Sequence, residues 1–138
     1  MKMRISKIKR LPAFTLTELL VVLVIIGILV ILALPKLMPL ISKAKSTEAQ
    51  LQLGHLHTLE KNFFYMKSKY GATFEEVGFE QEKLVTDGGS ANYRVEIIDA
   101  NTAGFKIRAT AVVDFDGDGA FNVWEMDQDK NLLEVTKD

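Results

Sequence analysis

The sequence contains no cysteine. Disulfide staples, thiolate zinc sites and cysteine nucleophiles are therefore excluded. It also lacks a surplus of either charge: 17 basic and 18 acidic residues leave a net charge of −1, which gives no reason to favour nucleic acid as a partner. Histidine is scarce, and His55 and His57 lie two positions apart, so on a helix they point to different faces. Helical zinc ligation uses a spacing of about four. No Ser/His/Asp set or pair of buried acids marks an enzyme. A length of 138 residues allows one domain with an appendage, not two full cores.

What is present is unevenly distributed. Residues Met1 to Ala13 carry Lys2, Arg4, Lys7, Lys9 and Arg10 and no acid, a charge of +5, so the remaining 125 residues sum to −6. Between these regions runs Leu19 to Leu34, sixteen residues without a charged or strongly polar side chain. Adding Phe14 to Glu18 lengthens the segment to roughly 31 Å as a helix, which matches a hydrocarbon core of about 30 Å. The basic stub keeps the N-terminus cytoplasmic and sends the C-terminal part outward.

Three readings of this segment compete. A secretory signal peptide fits the basic start, but no A-x-A-like site follows the apolar run. An uncleaved signal anchor is the simplest alternative. The third reading turns on Glu18, the one acid at the head of an otherwise uncharged span. Near the interface it can stay hydrated; deeper, it needs a partner.

The run Ala13-Phe14-Thr15-Leu16-Thr17-Glu18-Leu19-Leu20-Val21-Val22, with Gly27 and then Ala33-Leu34-Pro35, resembles the N-terminal signature of type IV prepilins and type II secretion pseudopilins. Ala13 stands where that family usually has Gly, and Thr17 where it usually has an apolar residue. The resemblance covers about the first forty residues, by its motif spacing. It implies a leader, residues 1–13, removed by a prepilin peptidase between Ala13 and Phe14, with N-methylation of the new terminus. It also implies a membrane-inserted precursor that an inner-membrane assembly platform builds into a homo-oligomeric helical filament. In that filament the Glu18 carboxylate of one subunit meets the freed amine of Phe14 on a neighbour, so that two groups costly in apolar surroundings neutralise each other. A subunit out of register leaves a buried charge unpaired, a loss of about 3–5 kcal/mol.

Residues 14–39 read as the transmembrane or filament-core helix, with a kink or melted stretch expected at Pro35 and Pro39. Residues 40–69 read as an amphipathic continuation. Ile41, Ala44, Leu51, Leu59, Phe63 and Met66 supply its apolar face, with Leu56 beside them. Glu48, Gln52, Glu60 and the lysines supply the opposite face. Gly71 is the expected stop.

Residues 70–138 read as a small head. Alternation predicts strands at Tyr93–Ile97 and Phe105–Val113, and shorter ones at Val123–Met126 and Leu132–Val135. The fold class that follows is α+β: a long N-terminal helix packed on an antiparallel meander. Between the second and third strands, residues 114–125 satisfy D-x-D-x-D-G-x5-E, the spacing of an EF-hand calcium loop. Asp114, Asp116, Asp118, Ala120, Asn122 and Glu125 are the candidate Ca2+ ligands. The flanks are strands rather than helices, so a hairpin turn with solvated acids stays open beside the calcium reading. Functionally the expectation is a structural subunit of a surface pilus or a secretion pseudopilus. It is placed first in the inner membrane with its head outside the cytoplasm, then in a periplasmic or cell-surface filament. The alternatives are a monomeric, anchored calcium-binding module and a minor pilin that binds DNA or a surface.

Overall fold

The computed structural model describes residues 13–138. The expected leader therefore lies outside the described residues, apart from Ala13. The chain divides into two units, Met1–Pro35 and Lys36–Asp138. One helix, α1 (Leu16–Lys67), contributes to both.

In the first unit, α1 has almost nothing but apolar side chains, and they are exposed: Leu19 to Leu34 lack any protein cover. This helix contains a window of mean hydropathy 3.0 and is long and apolar enough to cross a membrane. No melted stretch is present at Pro35 and Pro39, because helical structure continues through both. Each proline deletes one N–H bond, but its fixed φ near −65° is itself helical, so the loss is local.

In the second unit a four-stranded antiparallel sheet runs in sequence order, β1 (Tyr93–Ala100), β2 (Phe105–Ala111), β3 (Val123–Asp127) and β4 (Leu132–Thr136). The expected meander is thus present. Alternation turns Tyr93, Val95, Phe105, Ile107, Ala109 and Met126 toward α1, where they form the core with Ala49, Leu53, Leu56 and Phe63. Register shifts interrupt β1 between Ile97 and Asp99, and β3 between Val123 and Trp124. A four-residue turn of helix, α2 (Phe74–Val77), lies in the connection after α1 and was not apparent in the sequence.

The buried face of α1 is not the one that hydrophobic spacing indicated. The stripe is Ser42, Ser46, Ala49, Leu53, Leu56, Glu60 and Phe63, in alternating steps of four and three. Leu51 and Met66 are 70% and 72% exposed, whereas Glu60, expected on the wet face, is fully buried. Polar stripe positions hold their place by hydrogen bonds that hydropathy does not register. Ser42 Oγ donates to the Asp138 carbonyl at 2.6 Å, and His57 Nε2 lies 3.2 Å from the Gln128 carbonyl. The partly buried Glu48, just off the stripe, accepts from Asn92 and from the Tyr93 amide. The helix also ends before Gly71. Ser68 takes the left-handed cap position (φ 54°), and its N–H reaches the Phe64 carbonyl at 2.8 Å.

The corrected face makes a discriminating prediction. Leu53→Ala should cost about 2–5 kcal/mol of head stability, and Leu51→Ala well under 1 kcal/mol. Denaturant titration of the full chain, read by Trp124 fluorescence, compares the two; equal losses would restore the face read from hydropathy.

Candidate functional site

Two groups of candidate residues were legible in the sequence, and the structure treats them differently. The first lies at the start of α1. Thr15 is the residue before the helix, and Thr15-Leu16-Thr17-Glu18 forms a reciprocal capping box. The Thr15 N–H and Oγ1 donate to Glu18 Oε2 at 2.8 and 2.9 Å, and the Glu18 N–H returns a bond to Thr15 Oγ1 at 3.2 Å. Glu18 thus has a partner inside its own chain, which the sequence reading missed although T-x-x-E is the signal for it. Both bonds fall on one carboxylate oxygen; Oε1 accepts none from the described residues. Phe14 is 85% exposed. With Thr17, Glu18, Val21 and Val22 it borders an open cavity of about 400 Å³.

The second group is the acidic loop, where the expected six ligands are not brought together. Strand alternation turns Trp124 toward α1 and Glu125 to the outer face. There the Arg108 Nε and Nη2 atoms donate to Glu125 Oε1 at 2.8 and 2.6 Å, and Lys106 Nζ stands 3.8 Å from Oε2. Asn122 is fully buried and acts as a hub instead of a ligand. Its Oδ1 accepts from Tyr93 Oη at 2.8 Å, and its Nδ2 donates to Glu134 and to the Thr136 carbonyl. Burial pushes the Tyr93 hydroxyl up to about 12, which keeps it a donor. Asp118 turns to the Ala120 N–H at 2.7 Å.

What does converge is Asp114, Asp116 and Asp138, whose carboxylate oxygens lie within 4.8 Å of one another. The sequence offered no reason to include Asp138. Calcium takes six to eight oxygens, by the general rule. These carboxylates are already engaged by backbone donors: Asp114 accepts from Gly117 and Gly119 at 2.6 and 2.8 Å, and Asp138 from Phe115 and Asp116 at 3.0 and 3.1 Å. Such amide cradles make turns without a cation. Of the six candidate ligands, Glu125 and Asn122 are thus engaged elsewhere, and the acidic loop is held in place by its own backbone donors.

The cradle gives two neighbouring acids opposite electrostatic roles. Hydrogen bonds from Gly119 and Gly117 hold the Asp114 carboxyl below its ordinary value. Asp116 accepts from Asp118, which pulls it down, but desolvation and the charges of Asp118, Asp138 and Asp114 together lift it above its ordinary value. The Asp114 contribution is therefore present above its unfolded pKa and lost as pH falls through the folded one; ionised Asp116 has the opposite sign. At neutral pH, Asp114→Asn should lower the melting temperature of the full chain and Asp116→Asn should raise it slightly. Thermal melts checking both variants would contradict this account if both moved the same way.

No protein-family model matches the chain. The chain is 38% identical over 94 residues to the type IV major pilin protein PilA of Myxococcus xanthus (strain DK1622), an alignment covering 67% of this chain and 41% of that protein. This chain thus spans less than half the length of the relative it matches. Identity over that share falls on a chain in which one helix is both long enough to cross a membrane and, further along, the packing face of an antiparallel sheet; both findings support the type IV pilin family that the N-terminal run resembles.

Proposed function

We propose that this chain is a structural subunit of a type IV pilus. It is anchored by the apolar part of α1, cut after Ala13 by a prepilin peptidase, N-methylated at Phe14, and added by an inner-membrane platform to a helical filament of identical copies. The role is scaffolding, not catalysis. A surface pilus is favoured over a secretion pseudopilus because the relative is a major pilin.

The observation that carries the reading is the state of Glu18. It is the only charged residue between Ala13 and Pro35, and its capping box leaves Oε1 without a donor. In water that oxygen is hydrated; inside a bundle of apolar helices it needs a donor from another chain. An α-amine on Phe14 of a neighbouring copy supplies one. The exposed apolar flanks of Leu19 to Leu34 supply the packing surface: lipid-facing in the precursor, helix-facing in the filament.

Intact mass and N-terminal sequencing of surface-sheared material, together with electron microscopy, test the proposal. Filaments whose subunit begins at Phe14 support it; a subunit still beginning at Met1, with no filaments, points to a monomeric anchored protein. Glu18→Ala should leave membrane insertion intact and reduce filament yield by at least about tenfold, the consequence of an unpaired amine costing more than 1.4 kcal/mol. Thr15→Val, which removes only the side-chain half of the cap, should reduce yield less. Wild-type filament yield from Glu18→Ala would remove the register role.

A further inference from the structure

Glu60 is the most anomalous side chain in the head, fully buried on the stripe of α1. Its Oε2 accepts one hydrogen bond, from the Gly71 N–H at 2.8 Å. Its Oε1 is equally buried and has no partner. The bond fastens the strap that follows α1, residues 70–79. The strap is otherwise seated by aromatic contact: the Tyr70 ring stacks on Phe64 at 4.6 Å and meets Phe105 edge-on at 4.8 Å, and Phe74 packs on Phe79. Gly71 itself has no room for a side chain, because the Val77 Cγ1 methyl fills the space a Cβ would take. The strap can therefore reach Glu60 only by its backbone.

A second carboxylate on the same strap is built the opposite way. Glu76 is exposed. Its Oε2 accepts from the Ala72 N–H at 2.8 Å, its own N–H reaches Thr73 Oγ1 at 3.4 Å, and Lys69 Nζ stands 3.8 Å from Oε1. This is a capping arrangement in which the Ala72 amide, one residue before the Thr73 cap, takes the place of the cap residue's own N–H, and with Lys69 beside it the ionised form is favoured.

We propose that Glu60 and Glu76 make a two-ended pH clasp on the strap, closed most firmly in a mildly acid window, released toward neutral pH as Glu60 ionises and toward strong acid as Glu76 is protonated. Neutral Glu60 keeps its bond to Gly71 and buries no charge. Ionised Glu60 regains hydration only if the strap lifts. Burial pushes the Glu60 carboxyl up, against the pull of the Gly71 bond and with the help of the Glu76 charge. Its contribution is therefore full below the open-state pKa and lost as pH rises through the closed-state one. The Ala72 bond and then Lys69 hold Glu76 down, so its contribution is full above the open-state pKa and lost as pH falls through the closed-state one.

Other polar groups face the strap: Glu96 on β1 borders a cavity with Ala72, Thr73 and Phe74, and His55 on α1 packs on Phe79, but neither touches the Gly71 bond. Lys61 Nζ is engaged with Tyr70 Oη at 3.2 Å. His57, one turn before Glu60, bonds Gln128, and Asp127 and Lys130 act on it. Its hydrogen bond is to the connection between β3 and β4, so its titration bears on that connection and not on the Gly71 bond. From β2 the ring of Phe105 meets the strap at Tyr70, and it does not titrate.

The clasp does not depend on filament assembly, so it is tested on the full chain in detergent micelles. Hydrogen exchange of the Gly71 amide, followed by NMR between about pH 3 and pH 8, reads strap opening as a protection factor. Wild type should peak near the ordinary glutamate pKa of about 4.3, and protection should fall by up to about tenfold per pH unit above it until Glu60 is ionised in the closed state. Glu60→Gln should abolish the upper limb and leave the lower; Glu76→Gln should abolish the lower limb and end the upper one at a lower pH, since the Glu76 charge helps to raise Glu60. An unchanged upper limb in Glu60→Gln, or wild-type protection that rises toward neutral pH, overturns the proposal. If Glu60→Gln does not fold, the wild-type Glu60 carboxyl carbon shift serves instead: its midpoint should coincide with the loss of Gly71 protection, and separate midpoints would refute the clasp.

Discussion

Carboxylates anchor this chain by accepting hydrogen bonds, and the donors are mostly backbone N–H groups. Glu18 takes the Thr15 amide, Glu48 those of Asn92 and Tyr93, Glu60 that of Gly71, and Asp114 those of Gly117 and Gly119. Each bond ties an acid to a segment that would otherwise carry unpaired donors at a helix start, a strand edge or a turn. The β1 edge illustrates the consequence. Glu48 closes one end, and Gln81 accepts from Val95 at 2.8 Å and donates to Tyr93 at 3.2 Å, so side chains replace the missing neighbouring strand. Charge and backbone satisfy each other, and the small apolar core is left to supply packing rather than specificity.

This pattern explains which parts of the structure were legible in the sequence. The strands were, because β1 and β2 alternate cleanly: Tyr93, Val95, Phe105, Ile107 and Ala109 mark one face and Arg94, Glu96, Lys106 and Arg108 the other. The apolar start of α1 was, because nothing but hydropathy is needed to see it. The buried face of the rest of α1 was not. Four of its eight buried positions are Ser42, Ser46, His57 and Glu60, and a stripe kept by hydrogen bonds looks in composition like a solvated face. The placement of Asn122, Glu125 and Asp138 was not legible for a related reason. Motif spacing assumes that the last position follows a helix, whereas the strand that starts at Val123 sends Glu125 to Arg108 and leaves Asn122 in the core. Asp138 joined the loop from twenty or more positions away, a separation no local pattern encodes.

The same reasoning settles an apparent conflict at the head of α1. If Glu18 is already capped by Thr15, a role in pairing with another subunit looks redundant. Yet a carboxylate has about four lone-pair sites, and the cap uses only Oε2. The cap fixes the side chain against the first helical turn and so presents Oε1 in one orientation, at little further cost in rotamer entropy. Removal of residues 1–13 deletes no donor of the cap, since both Thr15 groups lie beyond the cut. The proposed cut would add a cation one residue before the cap. In the proposed scheme the carboxylate serves its own helix before cleavage; afterwards the same bonds would hold it ready for an amine from outside, and the helix start would not have to come apart for the pairing to form.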